Sequence, residues 1–85
     1  MPDESYETAR SLWEKYRMLT HELLKFVDED EIDTFIELVE QREHVVDLLK
    51  ELPSDPYRTG AEWAAYDAEV RPLEMQIQYK ARAWL

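Results

Sequence analysis

No cysteine occurs among the 85 residues, which excludes a disulfide framework and thiolate metal or redox chemistry. Glycine appears once and proline four times, so the chain has few places to break and no Gly-rich phosphate loop. No apolar run approaches the ~18 residues of a membrane span, and the opening MPDESYE is acidic where a secretory signal is apolar. A soluble cytoplasmic protein is expected. Basic residues are scarce as well, 10 Lys and Arg against 20 Asp and Glu, for a formal charge of −10. That balance repels phosphate backbones and anionic lipid, and it argues against nucleic-acid or membrane partners. At this length a single domain is expected, burying about 60% of its unfolded surface.

The acidity is concentrated. Residues 28–52 hold 10 acids and 2 bases and so carry −8 of the total, whereas 1–27 and 53–85 are each close to balance. Such a segment serves either as a solvated helix face or as a docking face for a basic partner.

Apolar periodicity predicts three helices. In the first, about 4–27, Ala9, Leu12, Tyr16, Leu19, Leu23 and Phe26 recur at steps of three and four. The link DEDEID offers Asp28 and Asp30 as N-caps, with Glu31 placed to close a capping box from Asp28. The second helix, about 31–52, has a broad apolar arc. Ile32, Ile36, Val39, Val46 and Leu48 lie beside its main stripe of Phe35, Leu38, Val45, Leu49 and Leu52, wide enough to touch both other helices. PSDPYRTG, residues 53–60, reads as a chain-reversing loop. A third helix, about 60–85, carries Trp63, Tyr66, Val70, Leu73, Ile77, Ala81 and Trp84, with Pro72 predicted to kink or break it. The expected fold is all-α, an antiparallel three-helix bundle.

One charge interrupts this pattern. Arg42 stands where the second helix should place an apolar residue, and its neighbours three and four positions away are Leu38, Val39, Val45 and Val46. No carboxylate of its own helix can reach it. It needs acceptors from elsewhere, either as an interior pin to Glu74, Asp67, Glu14 or Tyr16, or in a groove awaiting a partner's carboxylate or carbonyl.

Catalytic and metal signatures do not assemble. His21-Glu22 lacks the second histidine of a zinc helix, and DEDEID lacks the glycine and terminal glutamate of a calcium loop. Glu40 and His44 are one turn apart, but no pair of Glu-x-x-His motifs exists for a di-iron site. No cofactor, metal or enzymatic activity is expected.

Two resemblances bear on function. IDTFIELVEQR resembles the opening helix of the all-helical chorismate mutases, which implies Arg42, Lys50 and Arg58 as cationic ligands of a dicarboxylate; Thr59 stands where that family has glutamate. The longer stretch LTHELLKFVDEDEIDTFIELVEQREHVVDLLKEL, with Glu40-Gln41-Arg42-Glu43 at a Glu-x-Arg-Glu position and a later Pro-Leu in the third helix, resembles the flagellar export chaperones of the FliT type. This resemblance implies a chaperone that binds the C-terminal helical region of the filament-cap protein, prevents its premature assembly and delivers it to the type III export apparatus. The client-facing candidates are Ile36, Val39, Arg42 and Val46 on the second helix and Trp63, Leu73, Ile77 and Trp84 on the third. A small self-associating helical protein, with a homodimer interface on the same arc, is the alternative.

Overall fold

The computed structural model describes residues 4–84. Among them the chain forms three α-helices and no strand: α1 Glu4–Asp28, α2 Ile32–Lys50 and α3 Trp63–Ala81, which runs into a 3-10 turn at Arg82–Trp84. The predicted end of the third helix at Leu85 lies outside the described residues. At about 1.5 Å per residue α1 alone is about 37 Å long, and the molecule measures 45 × 23 × 16 Å.

α1 is the helix on which both others rest, and two stripes along it explain why. Leu12, Tyr16, Leu19, Leu23 and Phe26 join Leu38, Val45 and Ile77 in one core cluster. Tyr6, Ala9, Trp13 and Tyr16 join Tyr57, Tyr66 and Val70 in a second. Both stripes step by three and four, so one helix presents two adjacent faces. Tyr16 belongs to both clusters.

The α1–α3 pairs Tyr6–Glu62, Trp13–Tyr66, Arg17–Glu69 and Asp28–Lys80 rise together in both helices, so α1 and α3 run in the same direction. α2 and α3 do not pack backbone to backbone. No Cα of one comes within 8 Å of a Cα of the other, and the broad arc of α2 therefore reaches α3 through side chains alone.

Several local expectations are corrected. The capping box from Asp28 does not form, because Asp28 is still helical and α2 begins after Glu31 without a side-chain cap. The acidic link instead ends α1 with a Schellman motif. Asp30 takes φ 56°, its N–H donates to Val27 O at 3.3 Å, and Glu31 N–H donates to Phe26 O at 3.0 Å. Pro72 does not break α3, which continues through it; it removes the N–H that would otherwise bond to the Ala68 carbonyl.

The PSDPYRTG segment is more than a reversal. It inserts Tyr57, 3% exposed, among Tyr6, Trp63 and Tyr66, with ring centroids 5.8, 6.1 and 5.7 Å away. Gly60 lies within it for reasons of space. A Cβ there would sit 3.1 Å from Pro56 O and 3.5 Å from Tyr6 Cε2.

Candidate functional site

α2 and α3 meet over α1 through their side chains, Leu38 and Val45 sharing one core cluster with Ile77, and Arg42 adds a polar link between them. Its guanidinium Nη1 donates to Glu74 Oε1 of α3 and to Thr20 Oγ1 of α1 at 3.1 Å. Its Cζ lies 4.8 Å from the centroid of the Tyr16 ring, a cation–π geometry. Tyr16 in turn donates its hydroxyl to Glu74 Oε1 at 2.9 Å, and Thr20 donates to Tyr16 O at 2.8 Å. The four side chains therefore close a network joining all three helices. Arg42 and Glu74 side chains are 16% and 23% exposed, and no buried side-chain polar atom among the described residues lacks a partner.

Of the acceptors foreseen for Arg42, the fold brings Glu74 and the Tyr16 ring. Asp67 and Glu14 go elsewhere, to Arg71 at 2.9 Å and Arg17 at 3.0 Å. Each prefers the cation one turn along its own helix, where no long-range ordering is needed. Burial pushes the Tyr16 hydroxyl up to about 12, with the neighbouring Glu74 carboxylate adding to the shift and Arg42 opposing it.

Aromatic groups lie on either side of this network along the bundle. At one end Trp84 stands edge-on to Phe35, centroids 5.1 Å apart, and its Nε1–H donates to Asp30 Oδ1 at 3.2 Å. At the other, Trp63 stacks on Tyr66 at 4.9 Å and meets the edge of Trp13 at 4.9 Å. Trp13 Nε1–H donates to Asp55 Oδ2 at 2.8 Å, and Tyr66 donates its hydroxyl to Trp13 O at 2.7 Å. Burial raises the Tyr66 pKa well above the ordinary tyrosine value.

The eight residues predicted to face a partner are thus placed unequally. Ile77, 4% exposed, lies in the core and offers no surface. Leu73 is half-buried on the same stripe as Tyr66, Val70 and Ile77. Val39 and Val46 are half-buried, Val39 against the core cluster and Val46 beside Tyr16 and Leu49 at the edge of a cavity. Trp63 and Trp84 are half-buried within the aromatic ends, while Ile36 is 50% exposed. Arg42 is held by Glu74 and Thr20, so the cation that a chorismate-mutase-like site would use is already paired.

The pattern overlooked Trp13 and Thr20, although Tyr6, Ala9, Trp13, Tyr16 and Thr20 repeat the three-then-four step. The stronger aliphatic stripe beside them masked the signal. Among the described residues no three His, Asp or Glu side chains converge to hold a metal ion, and no helix is long and apolar enough to cross a membrane.

No family model, curated protein or solved structure matches this chain. Fold and site alone define its class, a small all-α bundle in which a polar network ties two helices to each other and to the third on which they rest.

Proposed function

We propose that the protein is a helix-binding chaperone of the flagellar export kind, which takes the C-terminal helical region of the filament-cap protein along α2 and α3, holds it unassembled in the cytoplasm and passes it to the export apparatus. The observation that carries this reading is the separation of α2 and α3, whose Cα atoms stay more than 8 Å apart along their length. Two helices that rest on a third and meet each other only through side chains leave room along their outer edge for a fourth, and an amphipathic client helix is the occupant that completes such a bundle. Val39 and Val46 supply apolar wall, Ile36 extends it outward, and Trp63 and Trp84 bound its ends.

In this reading α2 returns antiparallel to α1, and a bend at Pro72 lets the C-terminal half of α3 adjust to the client. Arg42 acts by fixing the floor on which the client lies. No catalytic step is proposed. The test is a calorimetric titration with the C-terminal helical segment of the filament-cap protein from the same organism. One-to-one binding weakened at least about tenfold by Val46→Asp in a folded variant supports the proposal. A folded sample that binds nothing removes the client assignment.

A second reading, self-association, is favoured by exposed apolar side chains on two helices, Ile32 and Ile36 on α2 and Met75 and Tyr79 on α3. Sedimentation of the protein without client separates the two readings, since the chaperone reading predicts a monomer that associates only with client.

A further inference from the structure

Where α2 ends and the loop to α3 begins, a cavity of about 340 Å³ opens above Trp13 and Tyr16. Val46 and Leu49 form its apolar wall, and Lys50 and Arg58 stand at its rim. This volume lies in the range of small-molecule pockets.

Two cations meet at this hollow on an otherwise acidic surface. Arg10, Arg17, Arg42, Arg71 and Lys80 are each spent on a carboxylate; Lys50 and Arg58, like Lys15, Lys25 and Arg82, form no ion pair among the described residues, and these two line one cavity. Arg58 is nevertheless held in place, its Cζ lying 5.5 Å from the Trp63 ring centroid and 6.0 Å from that of Trp13.

The acid in the cavity is already engaged. Asp55 accepts from Trp13 Nε1 through Oδ2 and from the Arg58 backbone N–H through Oδ1 at 3.3 Å, which lessens its repulsion of an incoming anion. A positioned guanidinium, a mobile ammonium and an aromatic floor together match one chemistry, a carboxylate carried on a compact apolar body. We propose that this cavity binds a small aromatic monocarboxylate, its ring on Trp13 and Tyr16 and its carboxylate between Lys50 and Arg58. The inference does not rest on the chaperone reading, because the site needs no client.

Phenylacetate is a suitable probe and phenylacetamide, its neutral counterpart, the control. The full chain, labelled with 15N, is titrated with each to about 20 mM, and a Kd on the order of 1 mM is expected for a ligand this small. Phenylacetate should give saturable shifts at the Trp13 indole N–H and the amides of Val46, Leu49, Lys50 and Arg58, with phenylacetamide binding at least about fivefold more weakly.

Lys50→Gln and Arg58→Gln should each weaken phenylacetate severalfold without altering the amide control. Lys50 is exposed and forms no ion pair among the described residues, so its variant keeps the test open if Arg58→Gln perturbs the tryptophans. Equal binding of acid and amide, unsaturable shifts, shifts centred elsewhere, or unchanged affinity in Lys50→Gln would each overturn the proposal.

Discussion

Replacing Arg42 by leucine should destabilise the protein substantially, although leucine suits the apolar face better. The variant leaves the Glu74 carboxylate, 23% exposed, with only the Tyr16 hydroxyl as donor, and it takes the Nη1 donor from Thr20, which is fully buried. Breaking a buried ion pair from one side costs about 3–5 kcal/mol. The remaining exposure of both partners reduces this to about 2–3 kcal/mol. For a domain this size each kcal/mol moves Tm by about 4–8 °C, so a fall of about 10–20 °C is expected.

Glu74→Leu should cost somewhat less, because Arg42 keeps Thr20 Oγ1 and the Tyr16 ring as partners and one negative charge leaves a protein at −10. The double variant Arg42→Leu/Glu74→Leu should lie within about 1 kcal/mol of the parent, since a buried pair exchanged for packed apolar groups is often neutral. Urea unfolding of all four proteins gives the coupling directly, provided the m-values agree. An Arg42→Leu variant within about 0.5 kcal/mol of the parent, or strictly additive single changes, would refute the argument that the network holds the three helices in register.

Other outcomes follow from the same contacts. Asp30→Asn should raise stability by about 0.5 kcal/mol in urea unfolding, because asparagine tolerates the left-handed backbone better and keeps an acceptor for Trp84 Nε1, whereas Asp30→Val should lower it by about 1–2 kcal/mol. Pro72→Ala should raise it by about 1–3 kcal/mol by returning a donor to α3. Alkaline titration should unfold the protein. Tyr16 is pushed up to about 12 and Tyr66 higher still, both first by burial, so each must remain neutral to stay folded. Their contribution is complete below the unfolded tyrosine value near 10 and is lost as pH rises through the folded values, at about 1.4 kcal/mol per pH unit per tyrosine. A stability that stays flat from pH 9 to 11.5 would contradict it.

Helix periodicity was readable because each helix buries a long stripe, and the three segments emerged within a few residues of their observed ends. Arg42 was readable for the complementary reason, a charge on an apolar face with no partner on its own helix. Glu74 could be named because chain reversal near residue 56 fixes which turns of α3 oppose α2. Thr20 could not, since its hydroxyl acts only once α1 is seen to serve two neighbours. The DEDEID link misled because Asp28 and Asp30 suit a helix start equally well, and the demand to end α1 took Asp30 first. Tyr57 was lost in a loop, where a single core residue has no period to reveal it. The spacing of α2 and α3 lies beyond pattern reading altogether, because periodicity gives each helix its buried face and not its distance from a neighbour.

Under the proposed function a client helix lies along α2 and α3. The most direct measurement is a 15N–1H correlation titration of the protein with the C-terminal helical segment of the filament-cap protein. Shifts should concentrate at Ile36, Val39, Val46 and the Trp63 and Trp84 indole N–H groups, with the exposed Met18 of α1 unmoved. Unchanged spectra, or shifts centred on Met18 and the outer face of α1, would contradict that placement.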